Sequence, residues 1–404
     1  MKISFDMANL VEALDLVSIV PPKSNGAQGY LFVVKDGKCS IYSRDTACVA
    51  RSQFTLRDSD GDGSFVYPAE YIGALKFLAS TSDTCEFEAT QEEEKFTVRY
   101  RASSGAKAER GSYDPKLFEI IDQDLNEAEE SSVFLPGVLR EAIAQAKPFL
   151  AAKDNTDEAC KGVQVLDASK PEYAKGDGYL FVSDGTRVIY FRSSAFLGKN
   201  LDIHSQHLSQ LVNFLGRTDD AITLRKGKHM TFAVDKNGNT FGWPKHSKGH
   251  PKFGYYSTSK EQFVLTMPKV RIMNALQHIR SELDKDNEKI KISFDPERRT
   301  LLFELSAGSA KVEGIPIQIT VKQGDPTPWS FSINNAHFLD LVNSIKGHEV
   351  ELRVCVVPAG GDRRADMAMF RTIETFNLDA SGKVVIEPTE AFECQVTRYV
   401  SSRA

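Results

Sequence analysis

The sequence predicts an α+β protein built by repetition, on three observations. A short apolar strand followed by a helical stretch of about a dozen residues is written six times, recurring about every 60 to 68 residues. Between the helices the chain turns to β-branched and aromatic runs with strand character. Turn pairs such as Asp36-Gly37, Asp184-Gly185 and Asn237-Gly238 punctuate those runs and favour antiparallel hairpins.

The first copy opens with Lys2-Ile3-Ser4-Phe5 and continues through Leu10, Leu14 and Val17, which keep the three-and-four spacing of one helix face. In the second, Ser64-Phe65-Val66-Tyr67 meets Pro68, tolerated in a first helical turn because the missing N–H has no partner there; Tyr71, Ile72, Leu75 and Leu78 follow. The third runs Ser132-Val133-Phe134-Leu135, then Pro136, Val138, Leu139, Ile143 and Ala146. In the fourth, Leu201-Asp202-Ile203 precedes His204, and Leu208, Leu211, Val212 and Leu215 lead to a stop at Gly216. The fifth joins Gln262-Phe263-Val264-Leu265 and Pro268 to Val270, Ile272, Met273, Leu276 and Ile279. The sixth is Ser330-Phe331-Ser332-Ile333, with Asn334 as candidate N-cap, then Phe338, Leu339, Val342, Ile345 and a stop at Gly347.

Strand chemistry fills the gaps, as in Tyr30–Val34, Lys38–Tyr42, Phe96–Tyr100, Ala221–Leu224 and Val350–Val354. Each copy therefore reads as one helix followed by about three or four strands. Two polar segments, Asp122–Ser131 and Tyr256–Glu261, fall between the second and third and between the fourth and fifth copies. Pairing the copies at those breaks predicts three domains, residues 1–125, 130–256 and 260–404, each of an ordinary domain size of about 130 residues.

Composition fits such a stack: 404 residues with 41% apolar and 26% charged side chains supply real cores. No long apolar run and no basic-then-apolar leader is present, so a soluble intracellular protein is expected. Cys39, Cys48, Cys85, Cys160, Cys355 and Cys394 are scattered without the short paired spacing of zinc ligands, and read as reduced core or strand residues.

Three polar clusters invite other readings. Asp58-Ser59-Asp60-Gly61-Asp62-Gly63 opens like a calcium loop, but the closing bidentate position falls on Ala69, with Glu70 one place late, so a hairpin turn is expected. His204 and His207 lie three apart at a helix start with no third ligand at obvious spacing, and capping or surface roles are expected. Glu92-Glu93-Glu94-Lys95 reads as a solvated turn. No phosphate-cradling glycine loop, nucleophile elbow or metalloprotease helix occurs, so binding or scaffolding is expected rather than catalysis.

At these residues the chain resembles the bacterial-type DNA polymerase III beta subunit, the sliding clamp, and a diverged phage version of it is expected. Met1-Lys2-Ile3-Ser4-Phe5 with Leu10, Leu14, Val17 and Ser18 is similar to the clamp's first strand and helix. Leu180-Phe181-Val182-Ser183-Asp184-Gly185-Thr186-Arg187-Val188 resembles the second domain's strand and its Asp-Gly-x-Arg-Leu turn. Phe331–Asn334 and Phe338–Ile345 resemble the third domain's last strand and helix. The resemblance spans nearly the whole chain in organisation, with residue identity confined to these patches.

The resemblance implies a DNA clamp fold of three similar domains, two chains closing head to tail into a ring around double-stranded DNA. It implies a sequence-independent DNA contact, partnership with a DNA polymerase and a clamp loader, no cofactor, no metal, no enzymatic activity, and the cytoplasm of a bacterial or phage-infected cell. It also implies an apolar groove for a partner's linear peptide, carried here by Gly185, Thr186, Arg187 and Val188 facing Val396, Arg398, Tyr399 and Val400. Phosphate contact falls to the cations on or beside the helices: Lys23, Lys76, Arg140, Lys147, Lys153, Arg217, Lys269, Arg271, Arg280 and Lys346. A net charge of −5 is compatible with a basic lining inside an acidic exterior.

The chain departs from the family in three places. Its end reads Val396-Thr397-Arg398-Tyr399-Val400 and then Ser401-Ser402-Arg403-Ala404, where clamps end in a Met-Pro-Met-Arg-Leu-like segment, so a different partner tail is expected. The stretch corresponding to the ring-closing edge, Ala106–Arg110, is charged, so the dimer is expected to be weak and salt-sensitive or the chain monomeric until loaded. The first helix carries Glu12 and Asp15 and no cation. A clamp-like processivity factor or transcription coactivator that closes no ring is the alternative reading.

Overall fold

The computed structural model describes residues 1–22, 28–93, 95–118, 124–150, 160–166, 178–183, 187–246, 260–282, 289–307, 310–324, 329–344, 347–356, 366–372, 374–378, 384–388 and 395–398. All six strand–helix copies are present. Strand Lys2–Asp6 enters helix α1 (Met7–Val17) directly, and Gly63–Pro68 enters α2 (Ile72–Leu78) through a 3-10 turn, Ala69–Tyr71. Pro68 therefore ends the strand rather than opening the helix. Glu129–Phe134 precedes α3 (Pro136–Ala146), and Leu201–His204 precedes α4 (Leu208–Leu215) by way of the turn Ser205–His207. Lys260–Pro268 runs into α5 (Lys269–Ser281), and Trp329–Asn334 into α6 (Asn335–Ser344).

The periodicity that predicts the helices is the periodicity of burial. Leu10, Leu14 and Val17 of α1 are fully buried, as are Leu211 of α4 and Ile272, Leu276 and Ile279 of α5. Each such side chain contributes about 1.5–3 kcal/mol by leaving water. Gly216 ends α4 in a right-handed conformation with its N–H on the Val212 carbonyl, so its φ of −76° makes no use of glycine's left-handed freedom. Asp36 (φ 50°) and Gly37 (φ 71°) do form a left-handed turn between the strands they join.

The chain gathers into two compact units, residues 1–140 with 203–247, and 141–202 with 248–404. In the first, one sheet orders Asp58–Ser59, Lys2–Asp6, Thr84–Glu92, Lys95–Ala102 and Lys107–Ser112. A second orders Glu129–Phe134, Ile222–Lys226, Met230–Val234, Thr240–Pro244, Val49–Thr55, Lys38–Arg44, Gly29–Lys35 and Gly63–Pro68, antiparallel throughout. Phe87 sits between them with Phe5, Phe65 and Tyr67 at ring centroid distances of 5.0, 5.8 and 5.7 Å, within the range of aromatic pairing.

The second sheet joins two sequence regions that are far apart. Thr240, Phe241 and Gly242 pair with Arg51, Ala50 and Val49, and Ser52 Oγ donates to Asn239 Oδ1 at 2.7 Å. Gly242 is required there because a Cβ would stand 2.7 Å from the Phe232 ring. The polar stretch expected to be a boundary is partly buried at this seam. Leu125 and Ala128 join the cluster of Leu31, Tyr42, Val49, Val66 and Phe232. The Asp124 carboxylate accepts the backbone N–H groups of Lys228, His229 and Met230, a concentration of donors on one buried charge.

In the second unit one sheet runs Gly162–Leu166, Gly178–Ser183, Arg187–Ser193, Gln395–Arg398, Asp366–Thr372, Glu349–Val356, Lys260–Pro268 and Thr320–Gln323. Another orders Ala310–Gln318, Thr300–Ala307, Lys289–Asp295 and Trp329–Asn334. Helices α5 and α6 pack on each other, and Phe338 of α6 stacks on Phe303 at 6.1 Å.

Candidate nucleic-acid and partner surfaces

The ten candidate phosphate-binding cations have different local fates. Lys23, Lys153 and Lys346 lie outside the described residues. Arg140, Lys147, Arg217, Arg271 and Arg280 are exposed, because each occupies the polar face of a helix or the turn just after one. The Arg140 guanidinium rests beside Gly216, 3.4 Å from where a Cβ would stand, at the end of α4 where Arg217 follows in sequence. Lys269 is half-buried and its ammonium reaches the Asn343 carbonyl in the last turn of α6 at 3.5 Å, a favourable site for a cation.

Lys76 is different. Its Nζ lies 2.6 Å from Asp15 Oδ1 of α1 and 3.4 Å from Ser18 Oγ, and its side chain is only 27% exposed. It is the only charged residue of α2, whereas α1 carries two carboxylates. The one cation of this helix pair is therefore held by its own neighbour.

Of the candidate peptide groove, the structure describes the backbone where two strands meet. Arg187 pairs with Thr397, Val188 with Val396 and Ile189 with Gln395, so the turn-proximal strand and the C-terminal strand are antiparallel neighbours. Arg398 pairs on the other side with Met367. Gly185, Thr186, Tyr399 and Val400 lie outside the described residues.

The charged stretch near residue 106 forms the strand Lys107–Ser112, at the end of its sheet. Alternation sends its side chains to opposite faces and to different partners. Glu109 takes Arg99 Nε at 2.7 Å, and the Arg110 guanidinium lies over the Tyr71 ring, 4.3 Å from its centroid. Both pairings sit within the chain's own first unit, and the sequence pattern gave no sign of them.

The remaining clusters are structural. In the calcium-like turn, Asp60 accepts the Lys2 N–H at 2.6 Å and Asp62 the Asp36 N–H at 3.1 Å, so its carboxylates hold backbone rather than converge. His204 Nδ1 accepts the Gln206 N–H and caps the turn before α4. His207 is buried, with Nδ1 3.0 Å from Cys48 Sγ and Nε2 2.8 Å from the Gln206 amide. Burial, with His204 nearby, holds the His207 imidazole below its usual range, and burial with Asp45 pushes the Cys48 thiol up to about 12. Both groups are thus neutral, and the Nδ1–Sγ contact joins two uncharged partners. Cys39 and Cys85 are likewise buried and pushed up to about 12, the behaviour of core thiols. Among the described residues no group of three His, Cys, Asp or Glu side chains could hold a metal ion, and no helix is long and apolar enough to cross a membrane.

Set beside known structures, this architecture is that of the DNA sliding clamps. The DNA polymerase III subunit beta of Pseudomonas aeruginosa superposes with a TM-score of 0.71 at 13% identity, covering 99% of this chain and 100% of that one. The beta sliding clamp of Caulobacter crescentus gives 0.70 at 13% identity, covering 99% of each chain. The DNA polymerase III beta subunit of Thermotoga maritima gives 0.65 at 15% identity, again covering 99% of each. No protein-family model matches the chain, and no curated protein matches it in sequence. The chain therefore has the DNA clamp fold, α+β, with a sequence far diverged from these structures.

Proposed function

We propose that the protein is a DNA sliding clamp: two copies close head to tail around duplex DNA, are placed there by a clamp loader, and tether a DNA polymerase without catalysing a reaction. The observation that carries this reading is end-to-end agreement with a clamp structure, 99% of this chain and 99% of the other at a TM-score of 0.71, with all six strand–helix copies in order. The copies then pair into domains 1–125, 130–256 and 260–404, and the helix cations supply contacts that neutralise phosphates without reading bases.

The strand Lys107–Ser112, last in its sheet among the described residues, supports ring closure. Glu109 is paired with Arg99 on its own chain and the Arg110 guanidinium lies over the Tyr71 ring, so both side chains are drawn toward their own unit, while the strand's outer backbone groups have no neighbouring strand among the described residues. The polymerase tail docks where Val188 and Val396 pair, on a groove completed by Gly185, Thr186, Arg187, Arg398, Tyr399 and Val400. Such a tether is tested by primer extension with the cognate polymerase and loader under single-binding conditions. The protein lengthens the products, and Tyr399→Ala shortens them again. Product lengths indifferent to the protein would contradict the tether.

A further inference from the structure

We infer that DNA contact in this chain is one-sided: the cations beside Gly216 and along α5 hold phosphate, while the α1–α2 pair is held out of contact by its own Asp15–Lys76 ion pair. The inference rests on the sliding-clamp reading and asks which of its helices touch DNA.

The helix pair α1–α2 contains two carboxylates and one cation, and that cation sits 2.6 Å from Asp15. Glu12 is exposed beside them and has no ion-pair partner among the described residues, so an approaching phosphate meets an already neutralised lysine and a second carboxylate. The rest of the exposed face of α2 is uncharged: Gly73, Ala74 and Phe77, the last 72% exposed. To use Lys76, DNA would have to displace Asp15 and then lie beside both carboxylates.

The opposite holds elsewhere. Arg140 and Arg217 are both exposed, and the Arg140 guanidinium rests beside Gly216 at the end of α4, the residue before Arg217, so both cations are offered at one helix end, where a polyanion is attracted. Arg271 and Arg280 project from the exposed face of α5, whose interior positions Ile272, Leu276 and Ile279 are fully buried. None of these four arginines has an ion-pair partner among the described residues.

The test is the affinity of the purified chain for a short blunt duplex across a low-salt series, read by fluorescence anisotropy. Arg271→Ala and Arg280→Ala each weaken binding and lower the slope of log Kd against log salt by about 0.9, one phosphate contact each. Lys76→Ala leaves the affinity within about twofold of the parent, unlike a phosphate-contacting lysine. Asp15→Ala, which releases Lys76, tightens binding and steepens the slope. Lys76→Ala weakening binding as much as Arg271→Ala would overturn the inference, as would an Asp15→Ala chain that binds no more tightly. These outcomes are separate from the ring itself: a chain that shows this pattern on linear duplex yet does not stay on closed circles keeps the one-sided contact and loses the clamp reading.

Discussion

Helices α1 and α5 are built on the same plan and differ where they face water. Each follows a strand without a long connection, and each buries an apolar stripe: Leu10, Leu14 and Val17 in one, Ile272, Leu276 and Ile279 in the other. On the exposed side α1 offers Glu12 and Asp15, and α5 offers Arg271 and Arg280. The buried side repeats because the fold needs it in every copy; the exposed side is free to vary, and that is where the copies acquire separate tasks. Lys76, the cation of α2 that reaches α1, is itself bound to Asp15, which takes it out of the basic set.

The comparison can be broken most strongly from the inside. Leu14→Ala and Leu276→Ala remove fully buried side chains from equivalent positions, and each should destabilise its unit by about 2–5 kcal/mol, measured by denaturant unfolding. A large disparity between them would show that the two helices are not equivalent in packing. The charge variants on the exposed faces should leave the same unfolding curves almost unchanged, because surface substitutions away from special features act within about 0.5 kcal/mol.

A smaller effect separates the two units by pH. Burial holds His207 below the usual imidazole range, so the unfolded chain takes up this proton before the folded one does. Its contribution is full above the unfolded value of about 6.5 and is lost as pH falls from there toward the folded value. Protection of the amides along Thr240–Pro244, at the seam beside Cys48 and His207, corrected for intrinsic exchange, should fall as the pH drops below about 6.5. His207→Gln should flatten that dependence. An equal loss of protection in His207→Gln would assign the acid sensitivity to other groups.

Much of the fold can be read from the chain because each repeat is a local pattern: a strand, a helix start, and apolar residues three and four apart. Positions such as Leu139, Leu211 and Phe338 could be assigned to a buried face without knowledge of what covers them. The seam could not be read this way. Ser52 and Asn239 are separated by 187 residues, and Cys48 and His207 by 159, so nothing local marks either contact. Asp124 illustrates the same limit: in a polar run it looks like linker chemistry, and only the approach of the Lys228–Met230 backbone makes it a buried clasp. The candidate cations were found by their helix positions, yet the state of Lys76 depends on Asp15, 61 residues earlier. At the charged edge, composition suggested repulsion, whereas the fold commits Glu109 to Arg99 and Arg110 to Tyr71.

The central claim, that these repeats form a ring, is tested most directly by topological retention. The protein is loaded onto nicked circular duplex with its cognate loader and ATP, isolated by gel filtration, and the circle is then cut once. A ring stays with the intact circle and is lost from the linear product. Equal retention on circular and linear DNA would contradict the account and identify a clamp-like factor that binds without encircling.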